Sequence, residues 1–344
     1  MTTTSSTPQP SQSEQPVSAT VTTEVEKRAP ISLGRESGGI LVLLVFIAAL
    51  ILLTNDFLTP TNLANLVRQV AVFAILSVGQ LFVILTGGID LSVGSILGVS
   101  GGVTALLLAD GMSVPVAILI GLLIGLGIGL INGLLVARLK LPPFIATLGM
   151  LGAARGLVLL LTGASTIAPL PDSFNAIAND SFLGLPNLFW VLIVVAVLAA
   201  FILGRTVFGR YVYAVGSNAE SARLSGVPTN YVLIAVYCIS GLLAGFAGIL
   251  TTSRLGAGIP TAGTGYELQA IAGAVIGGAS LSGAKGRVLG AVIGALIMAM
   301  LNNGGNLLGV DPFYLQIAIG ALIILAVYFD NLQGGSLAFL RRPA

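Results

Sequence analysis

Eight stretches of this chain run for 18 residues or more without an Asp, Glu, Lys or Arg: 37–55, 69–89, 91–109, 111–137, 181–204, 224–253, 288–310 and 312–329. A helix rising about 1.5 Å per residue needs roughly 18–20 such residues to cross a hydrocarbon layer. Only 8% of the 344 residues are charged, against about 25% in a typical soluble domain. A water-soluble globule is excluded, and the fold class is an all-α polytopic transmembrane bundle. The sequence has no His and one Cys, Cys238 within an apolar run. A disulfide framework and a His/Cys metal cluster are therefore excluded, and no metal or cofactor is expected.

Residues 1–30 are rich in Ser, Thr, Pro and Gln and contain no apolar run, so they cannot bury enough surface to offset chain entropy. A disordered cytoplasmic tail is expected over 1–38, a transmembrane domain over 39–333 and a cytoplasmic C-terminal tail over 334–344. The first apolar run lies too far from Met1 for a secretory signal and reads as a retained anchor. Apolar runs divided at turn signals give about ten spans, near 39–55, 66–86, 92–109, 114–137, 143–162, 187–204, 231–253, 268–282, 287–305 and 313–330. The eighth is short and interrupted by Gly273, Gly277 and Gly278, the pattern of a broken or re-entrant segment.

Short loops that hold Lys and Arg stay on the cytoplasmic side. With an inner N-terminus, twelve of the fifteen basic residues fall inside and Arg68, Arg155 and Arg254 fall elsewhere. Both termini are then cytoplasmic. The tetrapeptide Gly88–Leu91 is echoed by Gly265–Leu268, five spans later, as inverted repeats would require. A second echo, Gly87–Ser92 against Gly277–Ser282, lies six spans apart and would imply parallel repeats.

Two segments and a scatter of polar residues carry functional potential. In Thr86–Ser95, Asp90 lies at or just inside a membrane boundary, and Ser92 can cap the helix that follows. The carboxylate reads either as part of an interfacial helix cap or as a pathway or gating group. The basic loop 204–230 contains Arg210 and then Asn218, which can cap a short helix with Glu220 in its first turn; Leu224 ends that helix and Gly226 stops it. It reads as an amphipathic helix for a soluble partner or as a plain solvated loop. Polar residues within the spans include Gln80, Asn132, Thr147, Arg155, Gln269, Asn302 and Asn303, each a candidate pathway lining or helix-to-helix glue. Arg155 lies 12 residues past Pro143, about 18 Å along a helix, and must snorkel or find a carboxylate such as Glu267 or Asp172.

Glu220-Ser221-Ala222 with Gly226 beyond it resembles the Glu-Ala-Ala…Gly loop of ABC importer permeases, with Ser in place of the second-position Ala. Together with Leu85–Ser95, Phe144–Leu148, Gly209–Tyr211, Pro260–Leu268, Gly283–Arg287 and Leu301–Asn303, it resembles the ribose-type sugar permeases over about residues 40–333. The resemblance implies a subunit of a bacterial inner-membrane importer for a monosaccharide or related small polar solute. It implies an ABC ATPase below, a periplasmic or lipoprotein solute-binding protein above, a second permease copy in a homodimer or heterodimer, surrounding lipid and no nucleic acid. The coupling loop would be Arg210, Glu220, Ala222, Arg223 and Gly226. The pathway or gate would draw on Asp90, Ser92, Asn132, Thr147, Glu267, Asn302 and Asn303. The chain lacks a Gly-x-x-x-x-Gly-Lys-Ser/Thr phosphate loop, so ATP hydrolysis belongs to another chain and this one is a transport subunit, not an enzyme. The outer loop 163–186 and Pro260–Glu267 are the expected dock for the binding protein. Two alternatives remain at this point: an ion-gradient carrier using Asp90 and Glu267, or an importer of branched-chain amino acids, nucleosides or a signalling furanose.

Overall fold

Helix N-termini in this chain are marked by Pro and by small polar caps, and the structure, a computed structural model, follows them. It describes residues 1–2 and 36–339, so residues 3–35 of the expected N-terminal tail and 340–344 of the expected C-terminal tail lie outside the described residues. In order come α1 (Glu36–Leu53), α2 (Pro60–Leu85), α3 (Val93–Ala109), α4 (Val114–Ala137), α5 (Pro143–Thr162) and α6 (Asp172–Asn179). A two-residue hairpin, β1 (Ser181–Phe182) and β2 (Leu185–Pro186), leads to α7 (Asn187–Arg205), α8 (Val207–Ser217), α9 (Ala219–Leu224) and α10 (Thr229–Leu255). The chain closes with α11 (Tyr266–Ile276), α12 (Val288–Leu307) and α13 (Pro312–Phe339). Thr59 shows the local logic: its side chain accepts from the Asn62 N–H while Pro60 occupies the first turn of α2, where no amide donor is needed.

Each of the ten expected spans contains a helix. Six of them, α2, α4, α5, α7, α10 and α12, are long and apolar enough to cross a membrane. The apolar parts of α1, α3, α11 and α13 are shorter. The helix in the eighth expected span, α11, is only 11 residues long. Helix α1 begins at Glu36 and α13 continues to Phe339, so both helices extend a few residues into the stretches assigned to the tails.

The centre of the bundle is α2, α3, α4 and α10. Gly121, Gly125, Gly129 and Gly133 recur every fourth residue on the face of α4 turned to α3 and α10. A methyl on Gly125 would stand 2.5 Å from the Gly241 carbonyl, and one on Gly133 2.8 Å from the Ile234 Cα. Backbones come this close because lipid offers no hydrophobic drive between apolar helices, so dispersion contacts must be maximised. The same device joins α11 to α12, where Gly273 and Gly277 meet Gly290 and Gly294.

The segment after α10 departs from the sequence expectation. Gly258 packs on Ala105, Pro260 and Ala262 on Gly98, and Gly263 on Gly94. From Ala105 to Gly94 is roughly 16 Å along α3, so 258–263 threads inward along α3, through a turn closed by the Ala262 N–H donating to the Ile259 carbonyl at 3.0 Å. Pro260–Glu267 is therefore not an outer surface loop, and its expected role as half of the binding-protein dock is withdrawn. Turn residues and weak hydropathy are shared by surface loops and re-entrant segments, so the sequence could not separate them.

Gly127 lies on the same helix as this seam but faces open space. Gly125→Val is expected to lower stability by about 1–3 kcal/mol, as overpacking does, while Gly127→Val leaves it within error. Equilibrium denaturation of the purified protein in detergent measures both.

Candidate functional site

The break between α2 and α3 holds the densest polar cluster. Asp90 is fully buried at 0% exposure. Its Oδ1 accepts from the Ser92 N–H at 3.0 Å and the Ser92 hydroxyl at 2.6 Å, and its Oδ2 accepts from the Ser240 hydroxyl at 2.9 Å. The Asn132 amide donates to Ser92 Oγ at 2.8 Å. Gln80, with its amide oriented to satisfy both partners, donates to the Asp90 carbonyl and accepts from the Asp90 N–H at 3.1 Å each. Thr147 donates to the Ile89 carbonyl at 3.0 Å. The Asp90 side chain and the backbone of its unwound turn thus together gather α2, α4, α5 and α10.

Two sequence expectations change here. Asp90 bonds to Ser240, which lies roughly 16 Å from the start of α10 and 22 Å from its end. It therefore lies deeper in the bundle than a position at or just inside the boundary. Ser92 stands at the N-cap position of α3 but makes no capping bond, because its hydroxyl is taken by the buried carboxylate. Two groups around Asp90 escaped the sequence reading. Ser240 sits in an apolar run with nothing to mark it, and the Tyr237 hydroxyl is buried beside Gly88 without a hydrogen-bond partner.

Arg155 also differs from expectation. Its Nη1 donates to the Pro260 and Ala262 carbonyls at 2.9 Å each, and its Nη2 to the Gly94 carbonyl at 3.4 Å. No carboxylate among the described residues lies within ion-pair distance of it. Asp172 is exposed at the start of α6. Glu267 is near enough to act on Arg155 through its field but bonds instead, through Oε1, to the Gly265 N–H at 3.2 Å.

The remaining candidates do not join the Asp90 cluster. Asn302 donates to Gln269 Oε1 at 3.0 Å, tying α12 to α11. Asn303 and Asn62 exchange amide bonds of 2.7 and 3.2 Å between α12 and α2. Both asparagines act here as glue between helices.

On the opposite flank, α9 has the expected bounds and cap, with Asn218 Oδ1 accepting from the Ser221 N–H at 2.9 Å. Glu220 and Arg223 form a two-point ion pair at 2.6 and 3.1 Å, both exposed. The guanidinium bond holds the Glu220 carboxyl below the usual carboxylate range, with Lys140 adding a smaller pull. Ala222 is buried at 6% exposure against its own chain, so its small side chain seats α9 on this bundle. Gly226 turns the chain at φ +85°, with open space around it. Arg210 is exposed on α8. Leu224, the last residue of α9 as read, is 76% exposed beside the ion pair.

These features meet in a known group of proteins. A family model described as "Branched-chain amino acid transport system / permease component" matches residues 62–327. The chain belongs to this permease family. The permease is 44% identical over 300 residues to the ribose import permease protein RbsC of Escherichia coli strain K12, covering 86% of this chain and 94% of that one. It is 45% identical over 296 residues to RbsC of Bacillus subtilis strain 168, covering 86% and 92%. It is 40% identical over 277 residues to the D-allose transport system permease protein AlsC of Escherichia coli strain K12, covering 80% and 85%. No solved structure matches it.

In this permease the Asp90 carboxylate is the shared acceptor of two hydroxyls. Asp90→Ala is expected to destabilise by about 1–3 kcal/mol for each hydroxyl left without an acceptor. Asp90→Asn keeps an acceptor for Ser92 and gains a donor toward Ser240, so its loss is smaller. Denaturation midpoints of the two variants in detergent check the order.

Proposed function

We propose that this permease carries a monosaccharide across the bacterial inner membrane as the membrane subunit of an ATP-driven importer. The relatives' names support the substrate class, since they describe permeases for ribose and D-allose. Thr261 and Thr264 are exposed on the inward-threaded segment, and hydroxyls at that depth suit a solute that exchanges water for hydrogen bonds. In this reading about ten segments traverse or enter the membrane, α3 and α11 being the interrupted ones, and both termini are cytoplasmic. Helices α3 and α11, the first following its Gly-x-Asp/Glu-Leu motif and the second beginning within it, form the centres of inverted repeats. A second copy completes the path, ATP is hydrolysed by a separate subunit, and the outer loop 163–186, with α6, receives a solute-binding protein.

The observation that carries the coupling role is the build of α9. It displays the Glu220–Arg223 pair and the Leu224 side chain outward from a seat fixed by Ala222, Asn218 and the Gly226 turn. An apolar knob beside a rigid ion pair is what a groove on a soluble ATPase would grip. Motion imposed there has a short route to the Asp90 cluster. A methyl on Gly216, at the end of α8, would strike the Leu85 carbonyl, which accepts from the Ala284 N–H at 2.9 Å at the end of α2. Displacing α8 and α9 therefore pushes directly on the unwound turn that Asp90 organises. The cation-coupled alternative, which would use Asp90 and Glu267, is disfavoured by the family match and by relatives named as ribose import permeases.

Uptake of labelled monosaccharide into proteoliposomes containing the permease, its ATPase and its binding protein is expected to require ATP; uptake driven by a proton or sodium gradient alone would refute the reading. Leu224→Glu is expected to abolish ATPase co-purification and transport while leaving thermal stability unchanged, since the side chain touches little of its own chain.

The ion pair has its own signature. A lowered Glu220 pKa stabilises the α9 pair above the carboxyl's ordinary range, and that support is lost as pH falls through the lowered value. In Arg223→Gln the carboxyl titration, followed by NMR of labelled Glu220, is expected to move up toward the ordinary range.

A further inference from the structure

The inward-threaded segment 258–265 is attached in a way that transport of a solute past it does not by itself explain. Arg155 spends its fork on the Pro260, Ala262 and Gly94 carbonyls. Carbonyl dipoles solvate a guanidinium but do not neutralise it, and even a half-buried net charge within a bundle is costly. One turn away on α3 lies the complementary group. The Glu267 carboxylate rests against Gly94, and its Oε2 is buried with no hydrogen-bond partner. Helix α3 makes room for both by glycine: a methyl on Gly98 would stand 3.1 Å from Arg155 Nη1, and one on Gly94 would collide with Glu267 Oε2. The Arg155 fork and the unpartnered Glu267 oxygen thus both rest against Gly94, beyond ion-pair distance of each other.

We propose that 258–265 is a gate and that Arg155 is its two-position latch, gripping the Pro260 and Ala262 carbonyls when the gate is seated and Glu267 when it withdraws. The proposal rests on the transporter reading. Withdrawal takes two acceptors from Arg155, and Glu267 Oε2 replaces them, so neither charge is stranded in the bundle. Two nearly balanced partners are what a reversible gate requires, since a strong preference for either would freeze it. Gly256 at φ +63° and Gly265 at φ +80° bracket the segment, and backbone of this freedom absorbs the change of direction that a hinge demands. Thr261 and Thr264 are exposed, so the moving piece meets the solute. Arg155 and Glu267 act here as positioning residues, through the segment.

The test uses the complete transporter in proteoliposomes, in a Cys238→Ser background, with Leu97→Cys as reporter. Leu97 is buried at 1% exposure, and its side chain packs under Gly263. A membrane-impermeant maleimide is expected to react slowly at rest and fast during ATP-driven turnover. Glu267→Gln keeps size and backbone bonding but removes the second latch position. It should leave resting protection intact and cut turnover labelling and uptake roughly tenfold, as loss of one charge-assisted partner from one of two states implies. Arg155→Leu should raise resting labelling by a similar factor. Turnover labelling and uptake in Glu267→Gln equal to those of the unsubstituted glutamate would overturn the latch, as would continued protection in Arg155→Leu. Those results leave ATP-dependent uptake in place and so spare the transporter reading, whereas failure of uptake in the parent protein overturns both.

Discussion

A helix interrupted inside a membrane must find partners for its freed backbone groups within the protein, because lipid supplies none. The turn between α2 and α3 is the place where this chain meets that demand, and much of the bundle is arranged around it. Gln80 takes both backbone groups of Asp90, Thr147 takes the Ile89 carbonyl, and Ala284 takes the Leu85 carbonyl. The Asp90 side chain then recruits Ser92 and Ser240, and through Ser92 it recruits Asn132. A buried polar network of this size is stabilising only when nearly all its members are satisfied, which fixes the relative positions of α2, α4, α5 and α10.

Fixing those positions needs close packing, and glycine provides it. Helix α4 can bring Asn132 to Ser92 because Gly125, Gly129 and Gly133 let its backbone lie directly on α10. The same residue type makes the seats at Gly94 and Gly98 for Glu267 and Arg155. Glycine costs a helix roughly 0.5–1 kcal/mol relative to alanine, and that loss is offset only where another backbone or a charged group fills the space. Three glycines on α5, Gly149, Gly152 and Gly156, meet nothing within 4 Å of an added methyl. They follow a different logic from the seam glycines, and the single chain does not supply their partner.

The two flanks of the bundle handle charge differently. At α9 the ion pair is exposed, solvated and worth little by itself; it shapes a surface. At Arg155 a single cation is held by dipoles in a medium where Coulomb forces are strong, so small displacements of 258–265 change its energy greatly. Between them lies the Asp90 turn, in contact with the α8 end through Leu85 and with α3 through Ser92. A path from the α9 surface to the inward-threaded segment thus runs through three contacts, each made by backbone or by a buried side chain.

The apolar runs, divided at turn signals, marked ten segments that each hold a helix, six of them long and apolar enough to cross a membrane, because burial in lipid demands long uncharged stretches whatever the tertiary arrangement. The cap, bounds and turn of α9 were also legible, since Asn218, Leu224 and Gly226 act on neighbours within a few residues. Depth was not. Asp90 read as a residue at or just inside a boundary and Pro260–Glu267 as an outer loop, because turn chemistry is the same at a membrane surface as at a break within a bundle. Partners were not legible either: Ser240 lies 150 residues from Asp90, and Arg155 chose backbone carbonyls, which every residue carries and no sequence pattern marks. Local hydrogen bonding and hydropathy were set by the sequence order, whereas the placement of charge was decided only when distant helices closed around it and removed the water.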